Sequence, residues 1–97
     1  MKAVFISYNQ SLTEMVQLTM DKLSIRGYTQ WTNIQGCGSV KGEPHEGSHT
    51  WPELNNAHLT IVDDKKAEIL LEKLSQLNKE VEEQGLRAFV WNIENTI

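Results

Sequence analysis

The sequence predicts an α+β domain in which two strand–helix–strand halves share one sheet. Three features carry that expectation. Apolar residues recur at helical spacing in two segments. Short β-branched and aromatic runs flank each of them. Between the halves lies a Gly- and His-rich stretch, Gly36–Asn55, with almost no apolar pattern.

Residues 2–8 (KAVFISY) are rich in strand formers and predict the first strand. Ser11 opens S-L-T-E, with Glu14 three residues on, which is the pattern of a capping box. Leu12, Val16, Met20 and Leu23, with Met15 beside them, then follow helical spacing, and Gly27 is expected just past the helix end. Thr29–Gln35 predicts the second strand and Ala57–Val62 the third. Asp63 and Asp64 suit the start of a second helix as cap and first-turn charge. In that helix Ala67, Leu70, Leu71, Leu74, Leu77 and Val81 form one stripe, with Glu68, Glu72, Lys73, Lys79 and Glu83 off it. Gly85 is expected to stop it, and Leu86–Ile93 to form the fourth strand. This order, β-α-β-(long loop)-β-α-β, is that of a ferredoxin-like βαββαβ sandwich: a four-stranded antiparallel sheet with two helices on one face.

Strands one and four are apolar on both sides. Val4 and Ile6 alternate with Ala3 and Phe5, and Ala88 and Val90 with Phe89 and Trp91. The face away from the helices is therefore expected to be covered, and with 97 residues in one domain (1–97) a second subunit is the expected cover. The net charge of −4 and the lack of a basic stripe argue against nucleic acid. A single cysteine leaves no disulfide framework and suits a reducing compartment. No run approaches the roughly 20 apolar residues of a membrane span, and the N-terminus is too short in apolar residues for a secretory signal. The expected location is the cytoplasm. No Ser/His/Asp arrangement or nucleophile elbow is visible, so an enzyme is not expected.

Ordinary connections rarely exceed about 12–15 residues without a function, which makes Gly36–Asn55 the candidate functional segment. It begins with G-x-G-x-x-K-G at Gly36, Gly38, Lys41 and Gly42. Glycines let backbone N–H groups approach phosphate oxygens and the lysine adds a point charge, although three glycines can equally make turns alone. A second set is Cys37, His45 and His49, with Glu43 and Glu46 interspersed among them. Thiolate and imidazole at this spacing suit Zn²⁺ or copper, and solvated histidines are the plain alternative. Trp51-Pro52 closes the stretch, either packing at the start of strand three or anchoring a partner. His58, inside a strand, is expected to be a hydrogen-bonded structural residue.

The run from Gly27 to Gly42, G-Y-T…I-Q-G-C-G-S-V-K-G, resembles the PII signal-transduction family, as does G-L-R-A-F-V-W-N-I-E from Gly85 to Glu94. More narrowly, G-x-H-x-W-P-E-x-N followed by E-E-Q-G-L-R-A-F-V-W resembles a small PII-like subgroup associated with heavy-metal efflux. The resemblance implies a homotrimer of ferredoxin-like subunits that binds adenine nucleotides in intersubunit clefts. It makes 36–55 a T-loop-like segment that changes shape and docks on a transporter, enzyme or regulator, with nitrogen regulation among the implied roles. Carried over, the ligand residues are Gly36, Gly38, Lys41, Gly42 and Arg87, and the partner surface is Glu43, His45, His49 and Trp51.

The chain also departs from the family pattern. Its second phosphate loop, G-x-I-G-D-G-K, is here E-V-E-E-Q-G-L-R, leaving Arg87 at the place of the phosphate-binding lysine. Glu82 and Glu83 would repel a polyphosphate, and the sequence stops at Ile97 without the family's basic C-terminal segment. These departures count against a triphosphate and leave AMP, ADP or no nucleotide at all as the alternatives. Tyr8 and Tyr28 lie outside the loop, so uridylylation is not expected. Three readings stay open: a trimeric nucleotide-sensing regulator, a Zn or Cu sensor or tolerance protein built on Cys37, His45 and His49, and a protein-interaction module that binds neither ligand.

Overall fold

A computed structural model describes residues 1–37, 54–81 and 85–97. Strand β1 is Lys2–Asn9, followed by a 3-10 turn at Gln10–Leu12 and helix α1 at Thr13–Lys22. Strand β2 is Tyr28–Ile34, β3 Asn55–Val62, helix α2 Asp64–Glu80 and β4 Arg87–Asn92. The sheet has the order β2-β3-β1-β4 with every neighbouring pair antiparallel. This is the expected ferredoxin-like topology.

The two faces of the sheet are unlike. Val4, Ile6 and Tyr8 point toward the helices and are fully buried with Val16 and Met20 of α1 and Ala67, Leu70 and Leu74 of α2. On α2 the buried stripe is the one that the sequence spacing picks out. On the opposite face the register aligns Phe5 with Leu59 and Phe89, and Ala3 with Ile61 and Trp91. Among the described residues no helix lies over that face, and Phe89 and Trp91 remain 57% and 48% exposed.

Several boundaries differ from the sequence expectation, each for a local reason. Asn9, not Ser11, is the first cap: its side chain accepts the Ser11 N–H, and a 3-10 turn intervenes before α1. Leu12 then sits at the α1 N-cap without a side-chain bond, so the Ser11/Glu14 box does not form. Helix α2 keeps its predicted start, with the Asp63 carboxylate accepting from Lys66 N–H at 2.7 Å. It ends at Glu80 with Val81 as cap, so Gly85 does not stop it; at φ 70° Gly85 instead supplies a left-handed residue before β4. Strand β3 starts at Asn55, so the last residue of the 36–55 segment belongs to the sheet.

The end of α1 carries a testable consequence. Ile25 N–H bonds to Met20 O and Ser24 N–H to Asp21 O, both at 3.0 Å, which is the Schellman pattern. Its left-handed residue is Ser24, at φ 58°, while Gly27 lies three residues beyond. The pattern forms because buried Ile25 folds back onto the same core as Met20. Ser24→Gly removes the Cβ conflict of a left-handed residue but frees the unfolded chain. The expected net gain is roughly 0.5 kcal/mol, read by denaturant unfolding; a loss would show that Ser24 is not strained.

Candidate ligand site

The end of β2 is shaped by a bulge. Pairing runs from Trp31 opposite Ala57 to Ile34 opposite Asn55, three steps on β2 against two on β3. Asn33 takes the left-handed φ of 56° there. Three residues on, half-buried Gly36 lies against the first side chain of β3. A Cβ at Gly36 would stand 2.1 Å from Asn55 Nδ2 and 3.2 Å from Asn55 Cγ. A larger residue at Gly36 would have to displace the Asn55 carboxamide. Cys37 follows, exposed, with a free thiol. Gly38, Lys41, Gly42, Glu43, His45, His49 and Trp51 lie outside the described residues, as do Glu82 and Glu83. Among the described residues no group of three or more His, Cys, Asp and Glu side chains is placed to hold a metal.

Arg87 opens β4, exposed, with its Nη1 donating to Leu86 O at 2.8 Å. It is level with Ser7, Ala57 and Trp31 across the sheet. Arg87 and the Gly36 end of β2 thus sit at the same end of the sheet but on opposite edge strands. Three strand spacings, roughly 14 Å, separate the two strands, and Gly36 lies a further five residues beyond Trp31, the β2 residue level with Arg87. One phosphate cannot touch both within one chain.

At the other end of the β2–β3 pair is a cleft of about 250 Å³ that the motifs do not single out. Its walls are the α1–β2 connection, Ser24–Gly27, and the end of β3, Thr60–Asp63, with Lys66 at the rim. Thr60 Oγ1 donates to Gly27 O at 2.6 Å and fixes one wall to the other. Arg26 and Lys66 bring two cations to it. The one signal for it in the sequence is a polar residue, Thr60, at a core position of a strand.

Between loop root and cleft, β3 turns three polar side chains, Asn56, His58 and Thr60, into the helix side, and all are buried. His58 Nδ1 is 2.9 Å from Tyr8 Oη, and His58 Nε2 is 3.3 Å from Gln17 Oε1. Gln17 Nε2 donates to Asp21 Oδ1 at 3.0 Å, so its carbonyl oxygen is the end that faces His58. His58 therefore carries its proton on Nε2 and accepts the Tyr8 hydroxyl at Nδ1. Tyr28 meets the same imidazole edge-on, with centroids 5.0 Å apart. Burial holds the His58 pKa below its ordinary value and raises that of Tyr8. His58 is the hydrogen-bonded structural residue that the sequence leads one to expect.

The comparisons agree with this architecture. A family model described as nitrogen regulatory protein P-II matches residues 1–97. No curated protein matches the sequence. Among solved structures, CPII of Thiomonas intermedia bound to ADP and bicarbonate is similar at a TM-score of 0.75 and 23% identity, covering 95% of this chain and 84% of that one. A second CPII structure from the same organism, bound to ADP, AMP and bicarbonate, gives 0.73 and 21%, with coverage of 95% and 88%. A PII-like signalling protein of Thermus thermophilus gives 0.68 and 24%, with coverage of 95% and 85%. At these identities the likeness to solved structures speaks for the fold.

Proposed function

Because this chain belongs to the P-II family of nitrogen regulatory proteins, we propose that it is a homotrimeric PII-like regulator that senses an adenine nucleotide between subunits. It acts on a partner protein, such as a membrane transporter or a regulator, through the loop that follows Gly36. The observation that carries this reading is the division of the ligand residues. Gly36 and Arg87 lie on opposite edges of one sheet, at least about 14 Å apart, so a single phosphate group that meets both would draw them from different subunits. The open apolar face is the surface through which subunits would meet.

Gly36, Gly38, Lys41 and Gly42 would form the phosphate cradle, with Arg87 as the second cation. Glu43, His45, His49 and Trp51 would present the partner surface. A place in the cytoplasm fits, since no helix among the described residues is long and apolar enough to cross a membrane. CPII is bound to ADP in one solved structure and to ADP and AMP in another. The acids Glu82 and Glu83, five and four residues before Arg87 in the sequence, also favour few phosphates over many.

Titration calorimetry tests the reading with AMP, ADP, ATP and cyclic nucleotides at about 100 μM protein, which covers micromolar dissociation constants. ADP or AMP is expected to bind, and Arg87→Ala to weaken binding about tenfold, the loss of one charge-assisted contact. No heat with any nucleotide would overturn the nucleotide reading.

A further inference from the structure

The bulge at the end of β2 has a cause inside the core, and that cause is one side chain. Asn56 is 7% exposed and lies on β3 beneath the bulge. Its Oδ1 accepts the backbone N–H of Asn33 at 2.9 Å, and its Nδ2 donates to Thr13 Oγ1 at 2.8 Å. The Thr13 hydroxyl spends its own proton on Gln10 O, at 2.6 Å, so toward Asn56 it can only accept. The carboxamide is thereby held in one orientation, oxygen to β2 and nitrogen to α1. Gln10 N–H in turn bonds to Leu54 O at 2.9 Å, just ahead of β3. The first turn before α1, the start of β3 and the bulge of β2 are thus joined around one buried amide.

We infer that Asn56 is a positioning residue for the ligand loop: its amide holds the extra residue in β2 and so sets the face on which Gly36 and Cys37 leave the sheet. The inference rests on the proposed ligand role of Gly36 for its functional consequence, while the geometry it describes does not. A bulged residue has no ladder partner for its N–H, and here Asn56 Oδ1 replaces the missing strand carbonyl. Without that acceptor the pair relieves the bulge by slipping one residue. Such a slip turns each following side chain to the other face. Gly36 would then lose its fit against Asn55, and its own N–H would turn to the other face. The Thr13 bond carries the same setting to α1, so a ligand seated at Gly36 biases the start of α1 through two hydrogen bonds.

The test uses the full chain with two substitutions, Asn56→Leu and Thr13→Val, and three readouts. Amide exchange at Asn33 and the Gly36 amide resonance report the loop root without any nucleotide. ADP titration reports the consequence, and thermal melting reports folding. In folded Asn56→Leu, Asn33 exchange is expected to rise at least tenfold, the Gly36 resonance to move, and ADP affinity to fall about tenfold. Thr13→Val is nearly isosteric and keeps the Asn33 bond but frees the amide to turn, so Asn33 exchange is expected to rise severalfold. If Asn56→Leu does not fold, Thr13→Val decides. Unchanged Asn33 exchange and an unmoved Gly36 resonance in the folded variant overturn the inference. Wild-type protein that binds no ADP but shows the expected amide changes would overturn the nucleotide reading and leave the positioning role standing. Amide changes with wild-type ADP affinity would show that loop direction does not govern the ligand, and would overturn the functional half.

Discussion

Phe89→Glu is expected to turn the proposed trimer into folded monomers. Phe89 stands on the sheet face opposite the helices, level with Phe5 and Leu59, and is 57% exposed in the single chain. Trp31, Ile61 and Trp91 are exposed on the same face, and Trp31 leans on Phe5 with ring centroids 6.3 Å apart. Burying one such side chain contributes about 2–3 kcal/mol, and a closed ring of three subunits repeats the gain at each copy. A carboxylate in that position removes the gain and must also be desolvated, which costs several kcal/mol more. The core of each chain lies on the other side of the sheet, so the monomer is expected to keep its helical circular dichroism. Light scattering after gel filtration decides: wild type at the mass of three 11.1 kDa chains, the variant at one. Leu18→Glu is the control, because Leu18 is equally exposed but sits on α1, away from the sheet face. A Phe89→Glu protein that remains trimeric, or a Leu18→Glu protein that dissociates as readily, would place the interface elsewhere. The monomer should also lose ADP affinity, since Gly36 and Arg87 of one chain are too far apart to meet one phosphate group.

The architecture was legible because its signals are regular. The stripe of α2 recurs from Ala67 to Leu77, about three turns, and each strand is a short β-branched and aromatic run. What the sequence concealed was set by competition between neighbouring polar groups. Ser11 and Asn9 are both good caps, and only the geometry shows that Asn9 takes the first N–H. Ser24 and Gly27 could each end α1, and the burial of Ile25 selects the less suited residue. At the candidate site Gly36 and Arg87 were named from motif positions, but their separation on opposite edges follows from strand order, which no local pattern encodes. The bulge at Asn33 reads in the sequence as plain strand, because its partner Asn56 lies 23 residues away. The cleft at Gly27 and Thr60 was missed for the same reason, being built from two segments that meet only in the fold.

Acid is expected to weaken the fold through His58, within a pH window that few other groups occupy. The imidazole is fully buried, with Tyr8 of β1 donating to Nδ1, Gln17 of α1 accepting from Nε2 and Tyr28 of β2 against the ring. The nearest charge in this network is Asp21, which reaches His58 only through the Gln17 amide. Protonation puts a second N–H where the Tyr8 hydroxyl now donates, in a site without a directly paired anion. Burial accordingly lowers the pKa below the ordinary 6.5. The unfolded chain then binds the proton first as pH falls, so stability is full above about 6.5 and declines below it until the folded pKa is passed. One proton per chain limits the slope to about 1.4 kcal/mol per pH unit, and a steeper fall would implicate further groups. Asp64, whose carboxyl the N-terminal ammonium holds below its ordinary 3.8, loses its contribution only in stronger acid and does not overlap. Denaturant unfolding at a series of pH values from 8 to 5 measures the slope. His58→Leu should flatten it while lowering stability at pH 8 by about 1–3 kcal/mol, because Tyr8 and Gln17 are left without their partner. An equal slope in wild type and His58→Leu would assign the acid sensitivity to other residues. A flat wild-type curve would mean that the folded site accommodates the imidazolium. Because His58 lies on β3 between Asn56 and Thr60, the same protonation should loosen α1 from the strand that joins the loop root to the Gly27 cleft.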